Sequence, residues 1–213
     1  MSRYTIKEIY YTLQGEGARA GRAAVLCRFA GCNLWSGREE DRAAALCGFC
    51  DTDFVGTDGP GGGVFAEPEA LAAAVRAAWP EPAAGSPRPY VVFTGGEPLL
   101  QLDAALVEAC HRAGFEVGVE SNGTREAPPG IDWLTVSPKP GAPVVLRQGD
   151  ELKLAYPQAV TPESVAGLPF THFYLQPIDG PDRDANTRAA AEYCLRHPQW
   201  RLSLQIHKLA GLR

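Results

Sequence analysis

The sequence predicts an α/β fold: a mostly parallel sheet wound into a partial, open β/α barrel with a reduced number of helices. Three observations lead there. Apolar, strand-forming runs recur along the chain with helical patterns between several of them, an order that favours parallel pairing through crossovers. Polar segments follow five of the runs, each at the C-terminal end, where parallel β/α barrels gather their active sites. At 213 residues the chain is too short for eight complete β/α units, so the barrel is expected to stay open.

Taken in order, the candidate strands are residues 4–12, 24–29, 90–94, 116–120, 133–137, 151–155, 173–176 and 202–206. The candidate helices are 68–78, 99–113 and 185–195. The first helix has Pro68 near its start, with Glu67 and Glu69 in or beside its first turn, and these are helix-start signals. Short runs such as Val91-Val92-Phe93 read as strands buried on both faces. Gly- and Pro-rich stretches at 56–63, 80–89 and 138–143 read as loops. No repeat or linker interrupts the pattern, so residues 1–213 are expected to form one domain.

The five polar segments are Thr94-Gly95-Gly96-Glu97-Pro98, Glu120-Ser121-Asn122-Gly123-Thr124, Ser137-Pro138-Lys139, Gln176-Pro177-Ile178-Asp179 and His207-Lys208. One alone is ordinary loop polarity. Five in register indicate one face gathered around a ligand.

Composition narrows the class. Hydrophobic residues make up 45% and charged residues 21%, an ordinary globular balance. No apolar run approaches the roughly 18 residues of a membrane span. The first residues carry no apolar signal region, so a cytoplasmic protein is expected. The net charge of -5 argues against direct contact with nucleic acid, which wants a basic surface.

In a reducing compartment, clustered cysteines indicate metal binding or catalysis rather than disulfides. Cys32, Cys47 and Cys50 are such a cluster, spaced C-x14-C-x2-C after an early strand. Spacing alone leaves two readings open. One is a structural zinc site with a fourth ligand such as His207. The other is an iron–sulfur cluster with one iron left open for an exchangeable ligand. The Gly95-Gly96 pair adds a second signal, because glycines let backbone approach a ligand closely.

The three-cysteine loop together with Thr94-Gly95-Gly96-Glu97-Pro98 resembles the radical S-adenosylmethionine superfamily, although the usual spacing there is C-x3-C-x2-C. The intervening residues 33–46 are expected to form a short helix looping out between ligands. Further segments narrow the resemblance. Leu13-Gln14-Gly15-Glu16-Gly17, Arg28-Phe29, Cys50-Asp51-Thr52, Ser137-Pro138-Lys139, Gln176-Pro177-Ile178-Asp179 and Gln205-Ile206-His207-Lys208 resemble the 7-carboxy-7-deazaguanine synthase family over almost the whole chain. The C-x14-C-x2-C spacing also looks like a variant within that family.

The resemblance implies a lyase of queuosine and deazapurine biosynthesis. It would turn 6-carboxy-5,6,7,8-tetrahydropterin into 7-carboxy-7-deazaguanine and ammonia, with S-adenosylmethionine used catalytically. The radical comes from the cofactor, so no protein side chain is expected to be the catalytic group. Implied cofactors are a 4Fe-4S cluster, S-adenosylmethionine and Mg2+. Implied partners are the pterin substrate, a flavodoxin- or ferredoxin-like electron donor and a second copy of the chain.

Residue roles follow motif by motif. Cys32, Cys47 and Cys50 would hold the cluster, and Thr52 the magnesium through its hydroxyl, since magnesium prefers oxygen and keeps several waters. Leu13, Gln14, Gly15 and Glu16 would meet the pterin, whose donor and acceptor edge suits an amide and a carboxylate. Arg28 would grip the substrate carboxylate, which a guanidinium pairs bidentately. Thr94, His207 and the terminal Arg213 would also touch substrate. Gly95, Gly96, Glu97, Glu120, Ser121, Asn122, Ser137, Pro138, Lys139, Gln176, Pro177, Ile178 and Asp179 would line the S-adenosylmethionine site.

Cys27, Cys110 and Cys194 read as small buried hydrophobes. Trp35, Trp79, Trp133 and Trp200 read as core or interface residues. The Arg38-Glu39-Glu40-Asp41-Arg42 run reads as a solvated face. Two rival functions remain at this stage: an activating enzyme that places a glycyl radical on a partner protein, and a non-catalytic zinc-binding module.

Overall fold

The structure, a computed structural model, describes residues 3–80 and 88–212. Strand β1 (Tyr4–Leu13) pairs antiparallel with β2 (Ala23–Phe29), and the short β3 (Gly63–Phe65) pairs antiparallel along the other edge of β1. After helix α1 (Pro68–Ala78) the chain enters a parallel series. It runs through β4 (Tyr90–Gly95), α2 (Ala104–Arg112), β5 (Glu116–Ser121), β6 (Trp133–Val136), β7 (Gly149–Tyr156), the single-turn α3 (Pro162–Val165), β8 (Phe170–Pro177), α4 (Arg183–Arg196) and β9 (Trp200–Leu202). A last helical turn, α5 (Ile206–Leu209), follows.

The nine strands form one sheet in the order β3-β1-β2-β4-β5-β6-β7-β8-β9, with β3 and β9 as free edges. The barrel is therefore open, with few helices. Among the described residues no helix is long and apolar enough to cross a membrane.

Alternation along the strands gives the sheet two unlike faces. Cys27 and Phe29 of β2, Val91 and Phe93 of β4, Val117 and Val119 of β5, and Leu152 and Leu154 of β7 pack into one core with Leu71 and Val75 of α1 and Leu106 and Cys110 of α2. The intervening residues face the inside of the curl. They include Arg28, Thr94, Glu120, Lys153 and Gln176. Strand β4 is apolar on both faces, since Tyr90 and Val92 join Ala24 in a small inner cluster. Strands β5 and β7 are apolar on the outer face alone.

The structure departs from the sequence reading in four places. The helix expected over 99–113 is split into a 3-10 turn at Pro98–Leu100 and α2. Asp103 causes the break by capping α2: its Oδ1 accepts from Leu106 N at 3.0 Å and from Tyr4 Oη at 2.8 Å. The strand expected over 202–206 ends at Leu202, because Ile206 N donates to Gly15 O rather than to a neighbouring strand. β3 lies at the end of a stretch read as loop, and α3 carried no pattern long enough to register. Of the 80–89 loop, residues 81–87 lie outside the described residues.

Phe93 is fully buried in a central strand, its ring 5.7 Å from that of Phe29. Phe93→Ala is expected to cost about 3–5 kcal/mol of folding stability through lost burial and a residual cavity. A urea titration reads it as a lower midpoint at unchanged slope.

Candidate active site

A cavity of about 530 Å³ opens where the inner face meets the strand ends. That is within the roughly 300–1,000 Å³ usual for small-molecule sites. Strand register sets its floor. β2 and β4 place Arg28 beside Thr94, β5 and β6 place Glu120 beside Thr135, and β7 and β8 place Ala155 beside Gln176. Of the residues singled out in the sequence, the cavity is lined by Leu13 through Glu16, Arg28, all three clustered cysteines, Thr52 and Thr94 through Gly96. Glu120 through Asn122, Ser137, Lys139, Gln176 through Asp179 and His207 complete that set. Glu97 and Pro138 do not line it, and Arg213 lies outside the described residues.

The cysteine loop hangs over one side. Cys47 donates to Cys50, which favours the thiolate at Cys50, and the Thr52 backbone N–H and hydroxyl add two further donors. Burial pushes the Cys32 thiol up. Among the described residues no three His, Cys, Asp or Glu side chains form a ready-made site for a single metal ion.

Within the intervening segment, Glu39–Ala44 forms a 3-10 helix, the short helix expected there. Its last turn does more than face solvent. The Arg42 guanidinium donates to Gly48 O at 2.8 Å and Cys50 O at 3.0 Å, and lies 4.2 Å over the Trp35 ring. Trp35 in turn stacks edge-on against Phe54 at 5.6 Å. The arginine ties Gly48 and Cys50 of the C-x2-C turn to the insert.

The Gly-Gly-Glu segment is shaped by close approach. Gly95 has φ +127, and a Cβ there would collide with the Phe29 backbone. A Cβ on Gly96 would strike Gly31 O and come within 3.0 Å of Cys32 Cβ. Only glycines let the end of β4 lie against the cysteine loop. Glu97, fully buried, points away from the cavity: its carboxylate accepts from Leu99 N at 3.0 Å, Ser121 Oγ at 2.8 Å and Asn122 N at 2.7 Å. Burial pushes that carboxyl up, and the donors pull it part of the way back. Glu97 thus fixes the β5 segment from beneath. Asn122 passes the connection on to Asn33 beside Cys32, at 3.0 Å.

The inner face carries a charged cluster. The Lys153 ammonium contacts Glu16 and lies 3.0 Å from Glu120 Oε2. Gln14 Nε2 donates to Glu120 Oε1 at 2.8 Å, and Gln205 Nε2 to Glu16 Oε1 at 3.0 Å. Burial opposes ionisation of Glu16, but the ammonium overcomes it and holds the carboxyl below its usual range. Glu151, two residues before Lys153, is pushed up to about 7 by burial. Arg28 donates to Glu8 at 2.8 Å and to Tyr10 Oη at 3.3 Å, which fixes its plane at the other end of the cavity. The His207 ring lies where a Cβ on Gly15 would be, and burial lowers its pKa.

Lys153, Glu8, Gln205 and Asp51 were not singled out in the sequence. Glu151-Leu152-Lys153-Leu154 contains the signal: alternation puts both charges on the face opposite the leucines. Gln205 lies two residues before His207 in Gln205-Ile206-His207-Lys208, and its amide bond to Glu16 carries no local sequence signal.

Arg42→Met removes both loop-bonding donors without touching a cysteine. Hydrogen exchange at residues 47–52 of the metal-free chain is expected to speed up by about tenfold, the equivalent of one net hydrogen bond. Unchanged exchange would assign the loop's order to other contacts.

No protein-family model matches the chain. Curated relatives do. It is 64% identical to a 7-carboxy-7-deazaguanine synthase of Bordetella pertussis, over 98% of this chain and 99% of that one. It is 63% identical to one of Caulobacter vibrioides over the same shares. Among solved structures, the crystal structure of QueE from Escherichia coli superposes with a TM-score of 0.68 at 27% identity, covering 95% of this chain and 94% of that one. With identity this high over essentially its full length, the chain belongs to the 7-carboxy-7-deazaguanine synthase family.

Proposed function

We propose that this chain converts 6-carboxy-5,6,7,8-tetrahydropterin to 7-carboxy-7-deazaguanine with loss of ammonia, as an S-adenosylmethionine-dependent radical enzyme. One observation carries the reading: the cysteine loop, the Gly95-Gly96 turn and the Arg28 and Gln14–Glu16 positions line a single cavity. The full-length family match speaks against an activating enzyme for a partner protein.

The donor set fits the groups required. Three sulfur donors, with no fourth lining the cavity among the described residues, suit a 4Fe-4S cluster with one open iron, and Cys32, Cys47 and Cys50 would hold it. The close packing of Gly96 on the cysteine loop brings bare backbone to where S-adenosylmethionine would bind. Ser137, Lys139 and Gln176 through Asp179 would complete that side, with Glu97 holding Ser121 and Asn122 in place from below. Thr52 would offer one oxygen to magnesium. Together the cluster and S-adenosylmethionine supply the one-electron chemistry when bound.

The protein's own residues bind, orient and exclude water. Arg28, its Nε and one Nη held by Glu8 and Tyr10, presents the rest of its fork to the substrate carboxylate. Glu16 offers acceptors to ring N–H groups, and His207 closes over Gly15. The same reading, from the family resemblance, includes a flavodoxin- or ferredoxin-like electron donor, a homodimer and a cytoplasmic location.

Anaerobic turnover of the reconstituted protein with S-adenosylmethionine, reductant, magnesium and the pterin is expected to yield 7-carboxy-7-deazaguanine without net loss of S-adenosylmethionine, read by mass spectrometry. Cleavage of S-adenosylmethionine without that product would discard the substrate. A colourless zinc complex would return the cysteines to a structural role. Cys47→Ala is expected to lose the brown cluster absorbance and all turnover. Thr52→Ala is expected to keep the absorbance while its rate responds less to added magnesium.

A further inference from the structure

Lys153 lines the cavity with its side chain only 6% exposed, and it carries none of the roles assigned above. Its ammonium touches both Glu16 and Glu120, which arrive from different parts of the chain, the β1 loop and the end of β5. The Gln14 amide between them is turned toward protein at both ends. Its Nε2 donates to Glu120 at 2.8 Å, and its Oε1 accepts from Glu16 N at 3.1 Å. The reading of ring N–H groups therefore falls to the two carboxylates. An ionised carboxylate is acceptor only, and the two together have more lone pairs than Lys153 and the amides of Gln14, Gln176 and Gln205 occupy. A pterin presents two adjacent donors, its 2-amino group and the neighbouring ring N–H.

We propose that Lys153 is a specificity-determining positioning residue: it fastens Glu16 and Glu120 side by side as one acceptor surface for the amino-pyrimidinone N–H edge of the substrate. The inference rests on the pterin reading above. The physical reason is mutual repulsion. Without the cation they share, two half-buried carboxylates gathered at one point repel, so that one turns away or takes a proton and becomes a donor. Among the described residues no other cation is hydrogen-bonded to the pair. Lys139 is turned to Ser137, its Nζ 2.8 Å from Ser137 O, and neither it nor His207 hydrogen-bonds the pair among the described residues. Glu151, also facing the cluster, adds a carboxyl rather than a cation.

The test compares kcat/KM for 6-carboxytetrahydropterin and for its analogue with hydrogen in place of the 2-amino group. The proteins are the wild type, Lys153→Met and Lys153→Arg, each fully reconstituted. The wild type is expected to prefer the amino substrate by on the order of 10⁴-fold, as sites that hydrogen-bond a substrate N–H do. Lys153→Met is expected to retain no more than about a tenfold preference while the substrate KM rises by roughly 100-fold. Lys153→Arg, which restores the charge in a different shape, is expected to fall between them. Loss of folding or of a cofactor contact lowers both rates alike and leaves the ratio unmoved, so the ratio isolates this role. Should Lys153→Met not fold, the triple variant with Glu16→Gln and Glu120→Gln carries no unpaired charge and is expected to show the same lost preference. A wild-type preference retained in either variant overturns the inference. A wild type that discriminates but whose variant does so equally well overturns this inference alone, whereas a wild type that converts neither compound overturns the functional reading with it.

Discussion

Lys153 carries a positive charge in a place nearly closed to water, and the surrounding chemistry is arranged around that fact. Three carboxylates, Glu16, Glu120 and Glu151, share its field. Two make contact, and the ammonium holds the Glu16 carboxyl below its usual range. The third is pushed up to about 7 by burial, with the like charges of Glu120 and Glu16 adding to the rise, so it gives up charge more easily than geometry. An unpaired charge in such a position would cost several kcal/mol, so none of the partners is free to drift. Because Glu16 stands on the β1 loop, Glu120 on β5 and Lys153 on β7, one ammonium spans most of the sheet's inner width. Gln205 extends the network to the C-terminal segment.

That cluster is possible because the sheet divides its labour by face. The outer face is a continuous apolar layer under α1, α2 and α4, and it supplies the burial that holds the fold. Beyond the small cluster of Ala24, Tyr90 and Val92, the inner face is then free to carry charge. The strand ends hold one another as well as a ligand. Glu97 fastens Ser121 and Asn122, Asn122 reaches Asn33, and Asn33 reaches Thr124 at 2.8 Å. The cysteine loop is thereby locked to the end of β5 on one side and stapled on the other by Arg42 of the loop's own 3-10 turn, so its thiols are placed by side-chain bonds from both directions.

Much of this was legible in the sequence, and the limits have physical reasons. Strand positions were readable because each run is bounded by polar segments. The gathering of strand ends followed from parallel order, and the turn in the insert from its short helix-forming run. Side-chain direction was less accessible. Glu97 sits in a motif whose glycines line the cavity, yet its carboxylate turns inward to the Ser121 hydroxyl and the Asn122 N–H, tertiary partners 24 and 25 residues away. Lys153 was hidden for the opposite reason: it belongs to no motif, and only strict alternation with Leu152 and Leu154 marks its face. Residues 202–206 alternate like a strand, but the pairing with β8 ends with Ser203 N donating to Leu175 O, and the chain then leaves β8 to cross the cavity mouth.

The crossing explains why the last residues belong to the site. Ile206 N donates to Gly15 O at 3.0 Å, and Leu212 reaches the cavity wall. Lys208 bridges Asp51 at 2.7 Å, beside Cys50, and Asp179 at 2.6 Å, at the end of β8. The contrast with Lys153 is instructive. Lys208 and both its partners are part-exposed, and surface pairs of this kind contribute little stability. The interior ammonium fixes the cavity's geometry and the peripheral one merely draws its rim together. A site that must exclude water and still admit substrate needs both, with the strong interaction where nothing should move and the weak one across the mouth.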